Sequence, residues 1–223
     1  MQVVFDNFSL VLEGFEKTLW LIFFSGLIAI VLGTLLAAMR VSPVPIMRGA
    51  GTSYINVLRN TPLLLVLFMF RDAFPQVGFI YDVNDYFNFF FVSATVGLGL
   101  YTAAFVCEAL RSGINSIPIG QAEAARSIGM TFGQSMTNII LPQAFRAVIP
   151  PLANTYIALA KNTSVALAVG VTEASFQMSK LRNNHTSEQW WIVGTFALGY
   201  MLIVWSIAAI ARLLERRTRV TAA

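Results

Sequence analysis

Residues Arg111 to Arg146 read RSGINSIPIGQAEAARSIGMTFGQSMTNIILPQAFR, the longest polar stretch between two apolar runs. Ile119 to Ile128 holds strong helix formers around Gln121-Ala-Glu-Ala-Ala-Arg126, and Gly129 breaks that helix. A second amphipathic helix is expected from about Thr131 to Ile140, with Pro142 ending it or starting the next. A connector of about 35 residues is too long to be a simple turn. The stretch reads as a helix–glycine–helix hairpin whose apolar Ile128, Met130, Phe132 and Met136 need a partner.

On both sides of this hairpin the chain is apolar enough for lipid. Of its 223 residues 57% are hydrophobic and 12% charged, about half the charge of an average soluble domain. Mean hydropathy is +0.68. A helix rises about 1.5 Å per residue and needs about 20 apolar residues to cross hydrocarbon. Thr18 to Met39, Phe87 to Cys107 and Gln189 to Ala211 carry no charged side chain. Gly51 to Phe70 contains Arg59-Asn60-Thr61-Pro62, and Ala147 to Val171 contains Lys161-Asn162-Thr163-Ser164. Polar groups inside a span are costly and face a cavity or a partner, so both segments read as spans that carry a pathway. The expected fold is an all-α membrane protein with five transmembrane helices, near 18–39, 51–70, 87–110, 147–171 and 189–211. The single domain covers 1–223, with the loop at 111–146.

Arginine bias orients it. With the N-terminus outside, ten basic residues fall inside: Arg40, Arg48, Arg59, Arg111, Arg126, Arg146, Arg212, Arg216, Arg217 and Arg219. Four fall outside: Lys17, Arg71, Lys180 and Arg182. Asp6, Glu13, Glu16, Asp72, Asp82, Asp85, Glu173 and Glu188 are outside as well. The first span has an acidic flank and too long an apolar core for a cleaved leader. The loop from Arg71 to Asn88, with Pro75 and Gly78 as breakers, has room for a short surface helix. Cys107 stands alone, which excludes disulfides, and His185 alone forms no metal cluster. Trp190 and Trp191 read as an interfacial belt, and Arg212 to Arg219 as a basic tail that meets anionic headgroups rather than nucleic acid.

The hairpin carries a resemblance. Glu123-Ala124-Ala125, three residues, Gly129, nine residues, Ile139, one residue, then Leu141-Pro142 resemble the EAA loop of bacterial ABC-importer permeases. Arg59-Asn60-Thr61-Pro62, Tyr101 to Asn115 and Lys161-Asn162-Thr163-Ser164 resemble segments of the polar amino-acid (histidine/glutamate-type) permeases. The wording of RNTPL and GQAEAARSIGM is similar to that of actinobacterial glutamate permeases. The resemblance implies a multi-pass protein of the bacterial cytoplasmic membrane, non-catalytic itself. It implies three kinds of partner: an ATPase dimer that binds ATP and Mg, a second permease subunit (identical or homologous), and an extracytoplasmic amino-acid-binding protein. It implies that Glu123, Ala124, Ala125, Gly129, Leu141 and Pro142 form the coupling element. The small alanines would permit close approach to the ATPase, and Glu123 would pair with a basic residue there. No G-x-x-x-x-G-K-[ST] occurs in the sequence, so ATP has no phosphate cradle in this chain.

Asn154, Ala158 and Lys161 share one helical face, and Thr155 and Asn162 share the next. Asn162, Thr163, Ser164, Asn154, Thr61 and Glu108 are the candidate cargo-binding residues, since uncharged donors and acceptors suit a zwitterion. An alternative is that these groups only bond neighbouring helices. Arg59 and Glu108 are expected to form an ion pair, with contact between Glu108 and the cargo's ammonium as the other possibility. A neutral Asn162 leans toward acidic or neutral polar amino acids. The resemblance implies glutamate, with glutamine or arginine as alternatives. An ion-coupled secondary transporter would need more membrane carboxylates than Glu108 and would leave the hairpin unexplained.

Overall fold

The computed structural model describes residues 2–79 and 86–218; Asp82, Asp85 and Arg219 lie outside them. The described residues form helices and no strand. Ten α-helices follow in chain order: α1 (Gln2–Asp6), α2 (Phe8–Val41), α3 (Pro45–Asn60), α4 (Leu63–Gln76) and α5 (Phe89–Asn115) precede the hairpin. Then come α6 (Ile119–Ser127), α7 (Phe132–Ser135), α8 (Leu141–Asn162), α9 (Ala174–Asn184) and α10 (Gln189–Thr218).

Among the described residues, three helices qualify by length and apolarity to cross a membrane: Phe8–Val41, Phe89–Asn115 and Thr186–Arg217. Helices α3 and α4 qualify only together, bent by 105°. The bend falls within the segment read as a span over 51–70. Pro62 has no amide proton and pushes Thr61 into an extended conformation (φ −98°, ψ 130°), which ends α3. The first apolar run lies in a longer helix, which runs unbroken from Phe8 and takes Glu13, Glu16 and Lys17 inside it. Over 147–171 the α-helix stops at Asn162; Thr163–Val169 tightens to 3₁₀ and Gly170, at φ +96°, turns the chain.

Close contacts set the relative directions of the helices. Ser25 donates to the carbonyl of Thr95 at 3.0 Å, a Cβ on Gly99 would meet Ile28, and one on Gly33 would meet Val106. Position numbers rise together, so α2 and α5 run parallel, and the α3–α4 segment between them has to return. Arg59 lies beside Phe105 and Leu67 beside Gly97, which is that antiparallel return. Gly113 packs on Val148 while Tyr101 shares a cavity with Asn162, so α8 runs against α5. Phe15 stacks on Phe196 and abuts Gly199, and Val11 shares a core with Ile192, so α10 runs with α2. Three buried clusters are strung along α2, at Val11, Leu21 and Leu36. Its opposite side exposes Leu19, Phe23, Leu27, Val31 and Leu35, every fourth residue, as a stripe suited to lipid.

Glycine makes these contacts close. A Cβ at Gly33 would sit 2.6 Å from Val106 Cγ1 and 3.0 Å from the Ala103 carbonyl oxygen. Gly33→Leu is expected to destabilise the protein by about 1–3 kcal/mol, the usual cost of overpacking, read as a lowered unfolding midpoint in detergent.

Candidate functional site

The cavity between α5 and α8 holds about 250 Å³. This lies below the roughly 300–1,000 Å³ of sites for drug-sized ligands, so it suits a small cargo. Tyr101, Thr102 and Phe105 line it from α5, and Asn154, Thr155, Ala158, Leu159 and Asn162 from α8. The walls combine aromatic faces with amide and hydroxyl groups and carry no charged lining residue. Such groups donate to a carboxylate and accept from an ammonium.

The structure brings together Asn154 and Asn162, two turns apart on α8, and leaves the other candidates aside. Thr163 is fully buried and donates its hydroxyl to the Ala160 carbonyl at 2.7 Å. Ser164 donates to the Lys161 carbonyl at 2.7 Å, and Thr61 to the Val57 carbonyl at 2.7 Å. These hydroxyls cap their own helices, as Ser and Thr do at helix ends. None of the three lines the cavity. Tyr101 and Phe105 escaped sequence reasoning. Their signal was present: Tyr101, Phe105 and Glu108 stand at i, i+4 and i+7, one stripe of α5.

Glu108 lies one turn beyond Phe105, outside the lining. Its expected partner, Arg59, approaches to 3.8 Å. Two closer cations were missed: Arg40 of α2 is ion-paired directly with Oε1, and Arg111 reaches Oε2 at 3.0 Å. The expected pair is therefore a cluster of three arginines on one carboxylate. Exchanging Arg59 and Glu108 would set a new arginine between Arg40 and Arg111. The double exchange is thus expected to transport no better than either single variant, measured as uptake in reconstituted vesicles.

A buried carboxylate was read as an outer-loop charge. Glu173 is 0% exposed and caps α9. It accepts from the amides of Ser175 (2.9 Å) and Phe176 (3.1 Å), from the Tyr200 hydroxyl (2.8 Å) and from Thr18 (3.4 Å). Burial pushes its carboxyl up, and these donors pull it back. Beside it, buried Lys17 donates to Thr172 Oγ1 at 2.7 Å and lies 4.7 Å from the Tyr86 ring.

The hairpin has the expected outline and a different interior. Helix α6 ends in a Schellman motif: the Met130 amide donates to Ala125 (3.1 Å), the Gly129 amide to Arg126 (3.0 Å), and Gly129 takes φ +83°. Thr131 and Gln134 form a reciprocal capping box that starts α7, a T-x-x-Q signature that sequence reasoning passed over. Pro142 stands in the first turn of α8, one of the two expected alternatives. A π-turn over Met136–Ile140 carries the second helix into α8, with the Leu141 amide bonded to Met136. The π-turn accommodates a proline near the start of α8 that can donate no hydrogen bond. Ala125 is buried, 1% exposed, within its own chain, so its small side chain serves the hairpin's own packing. Glu123, Ala124, Leu141 and Pro142 are exposed. Ile119, Ile128 and Phe132, each more than 70% exposed, make an apolar surface around them.

A helical bundle with an uncharged cavity and a hairpin that exposes apolar side chains has the form of a transport subunit. Residues 29–220 match the family model described as binding-protein-dependent transport system inner membrane component, and the chain belongs to that family. It is 46% identical over 197 residues, 86% of each chain, to the glutamate transport system permease protein GluC of Corynebacterium efficiens. It is 32% identical over 213 residues to the glutamate/aspartate import permease protein GltJ of Escherichia coli K12, covering 93% of this chain and 86% of that one. A solved amino acid ABC transporter crystallised with histidines superposes with a TM-score of 0.85 at 28% identity, covering 96% of each chain.

Proposed function

We propose that this chain moves glutamate across the bacterial cytoplasmic membrane as the permease subunit of an ABC importer. The observation that carries the cargo is the uncharged cavity between α5 and α8, mostly apolar with the amides of Asn154 and Asn162 among its walls, in a chain 46% identical to a glutamate permease. In this reading α2, the bent α3–α4 pair, α5, α8 and α10 make five crossings in alternating directions. The arginine bias sets the N-terminus outside and the C-terminus inside. Asn154 and Asn162 hold the cargo.

Power comes from a separate ATPase dimer that binds ATP and Mg. The hairpin docks on it through Glu123, Ala124, Leu141 and Pro142 and the apolar Ile128 and Phe132, while Gly129 sets the turn. A second permease subunit completes the pathway, and an extracytoplasmic binding protein delivers the cargo.

Uptake of labelled glutamate by cells or vesicles carrying the complex tests the cargo, with arginine and glutamine as competitors. Unlabelled glutamate is expected to compete most strongly. Strong inhibition by arginine, with none by unlabelled glutamate, would sink the acidic reading.

A further inference from the structure

Helix α3 does not climb the bundle. A Cβ on Gly51 would sit 3.1 Å from Arg40 Cγ and 3.5 Å from the Leu36 carbonyl oxygen. Ile55 shares a buried cluster with Leu36, Ala37, Ala103 and Ala104. Arg59 lies beside Phe105 and Glu108. From Gly51 to Arg59 the helix advances about 12 Å, yet its partners stay within Leu36–Arg40 of α2 and Ala103–Glu108 of α5. Those two stretches stand at one height, since Arg40 is paired with Glu108 and Gly33 abuts Val106. Helix α4, bent by 105° from α3, makes the crossing past Gly97. Helix α3 therefore lies close to the plane of the bilayer.

Its first turns project from the bundle, for every residue from Val44 to Ala50 is exposed. The exposed side chains are sorted. Ile46, 83% exposed, falls on one stripe with Ala50 and Val57, at i, i+4 and i+11. Arg48, two residues after Ile46, comes about 200° round the axis, with Thr52 and Asn56 one and two turns on. Arg48 Nη1 donates to the Ser42 carbonyl at 3.4 Å, and among the described residues no carboxylate pairs with it. A protein seated on the apolar stripe would leave Arg48 facing away from it. A bilayer surface answers both sides at once, because acyl chains lie beneath acidic phosphates.

We propose that the projecting start of α3 is a site for an acidic phospholipid, with Ile46 and Ala50 against acyl chains and Arg48 on the headgroup phosphate. In the orientation proposed above this is the cytoplasmic leaflet. Quenching by lipids brominated on their acyl chains tests it. A fluorophore is placed on the stripe through Ala50→Cys, since the native Cys107 is buried and escapes labelling. The labelled chain, with a cysteine-free partner ATPase, is reconstituted in vesicles of phosphatidylcholine and phosphatidylglycerol. Both brominated lipids are expected to quench, and phosphatidylglycerol about fivefold more effectively, the preference that one arginine near a membrane surface supplies. Arg48→Gln is expected to bring that ratio below about twofold while quenching by phosphatidylcholine persists, which shows α3 still in place. Arg48→Lys is expected to keep most of the preference, and excess inorganic phosphate to leave it unchanged. No quenching by either lipid would mean that another chain covers the stripe, and overturns the proposal. Equal quenching by the two lipids with Arg48 intact overturns it, as does a preference that survives in Arg48→Gln. Loss of the preference to inorganic phosphate would show a site for free anions and overturn the lipid assignment.

Discussion

Glu173→Ala is expected to lower stability by about 2–4 kcal/mol, the largest stability loss of any single change considered for this protein. The substitution removes the N-cap of α9, a loss of about 1 kcal/mol. It also strips a fully buried acceptor from the Tyr200 hydroxyl and from Thr18. Each buried donor left unpaired costs about 1–3 kcal/mol. The sum is tempered because Thr18 keeps its bond to the Gly14 carbonyl at 3.0 Å and Tyr200 stays 3.0 Å from the Ser175 hydroxyl. Glu173→Gln retains one acceptor oxygen and is expected to recover about half the loss, since an amide oxygen still accepts a hydrogen bond. Unfolding midpoints of the purified protein in detergent measure both variants. An alanine variant as stable as the wild type would show that water or a rearranged partner replaces the carboxylate.

That network also shows where sequence reasoning fell short. Glu173 stands among polar residues between two apolar runs, so composition marks it as a solvated loop charge. Its burial follows from contacts with Thr18 and Tyr200, 155 and 27 positions away, which no local pattern contains. The Glu108 cluster follows the same rule. Arg59 and Glu108 are joined as expected, but Arg40 is 68 positions away from Glu108 and reaches it only because α2 and α5 run parallel.

What was legible was local or strongly periodic. The uncharged runs became α2, α5 and α10. Gly129 took the left-handed conformation that a helix–glycine–helix hairpin needs. Pro62 was visible in the sequence, yet its effect was underweighted: an apolar run with one proline reads as a single span until the residue before it is seen extended. Asn154 and Asn162, on adjacent faces of one helix, both line the cavity because it spans those two faces. Thr163 and Ser164 did not, because the chain tightens to 3₁₀ at Thr163 and their hydroxyls turn back to helix carbonyls.

The largest functional effect is expected at the hairpin. Ile128 and Phe132 are 76% and 78% exposed, on either side of the Gly129 turn. Side chains this apolar are held in water only where a partner covers them. Ile128→Asp with Phe132→Asp would bury two charges in that interface, and unpaired buried charges cost several kcal/mol each. ATP-driven uptake is expected to fall to background, and the ATPase to be lost from the purified complex. The hairpin's own fold is expected to persist, because Ala125, the Schellman motif and the Thr131–Gln134 capping box are untouched. Gly129→Val tests the turn separately: a β-branched residue at φ +83° costs about 1–3 kcal/mol and would tilt α6 on α7. Normal uptake by the double aspartate variant would mean that force enters the chain elsewhere.

The most direct test of the central claim is uptake of labelled glutamate into proteoliposomes that contain this chain, its partner ATPase and the binding protein. Uptake is expected to require ATP enclosed with the ATPase and to stop with a non-hydrolysable analogue, whatever ion gradient is imposed. Glutamate accumulation driven by a sodium or proton gradient in the absence of ATP would contradict it.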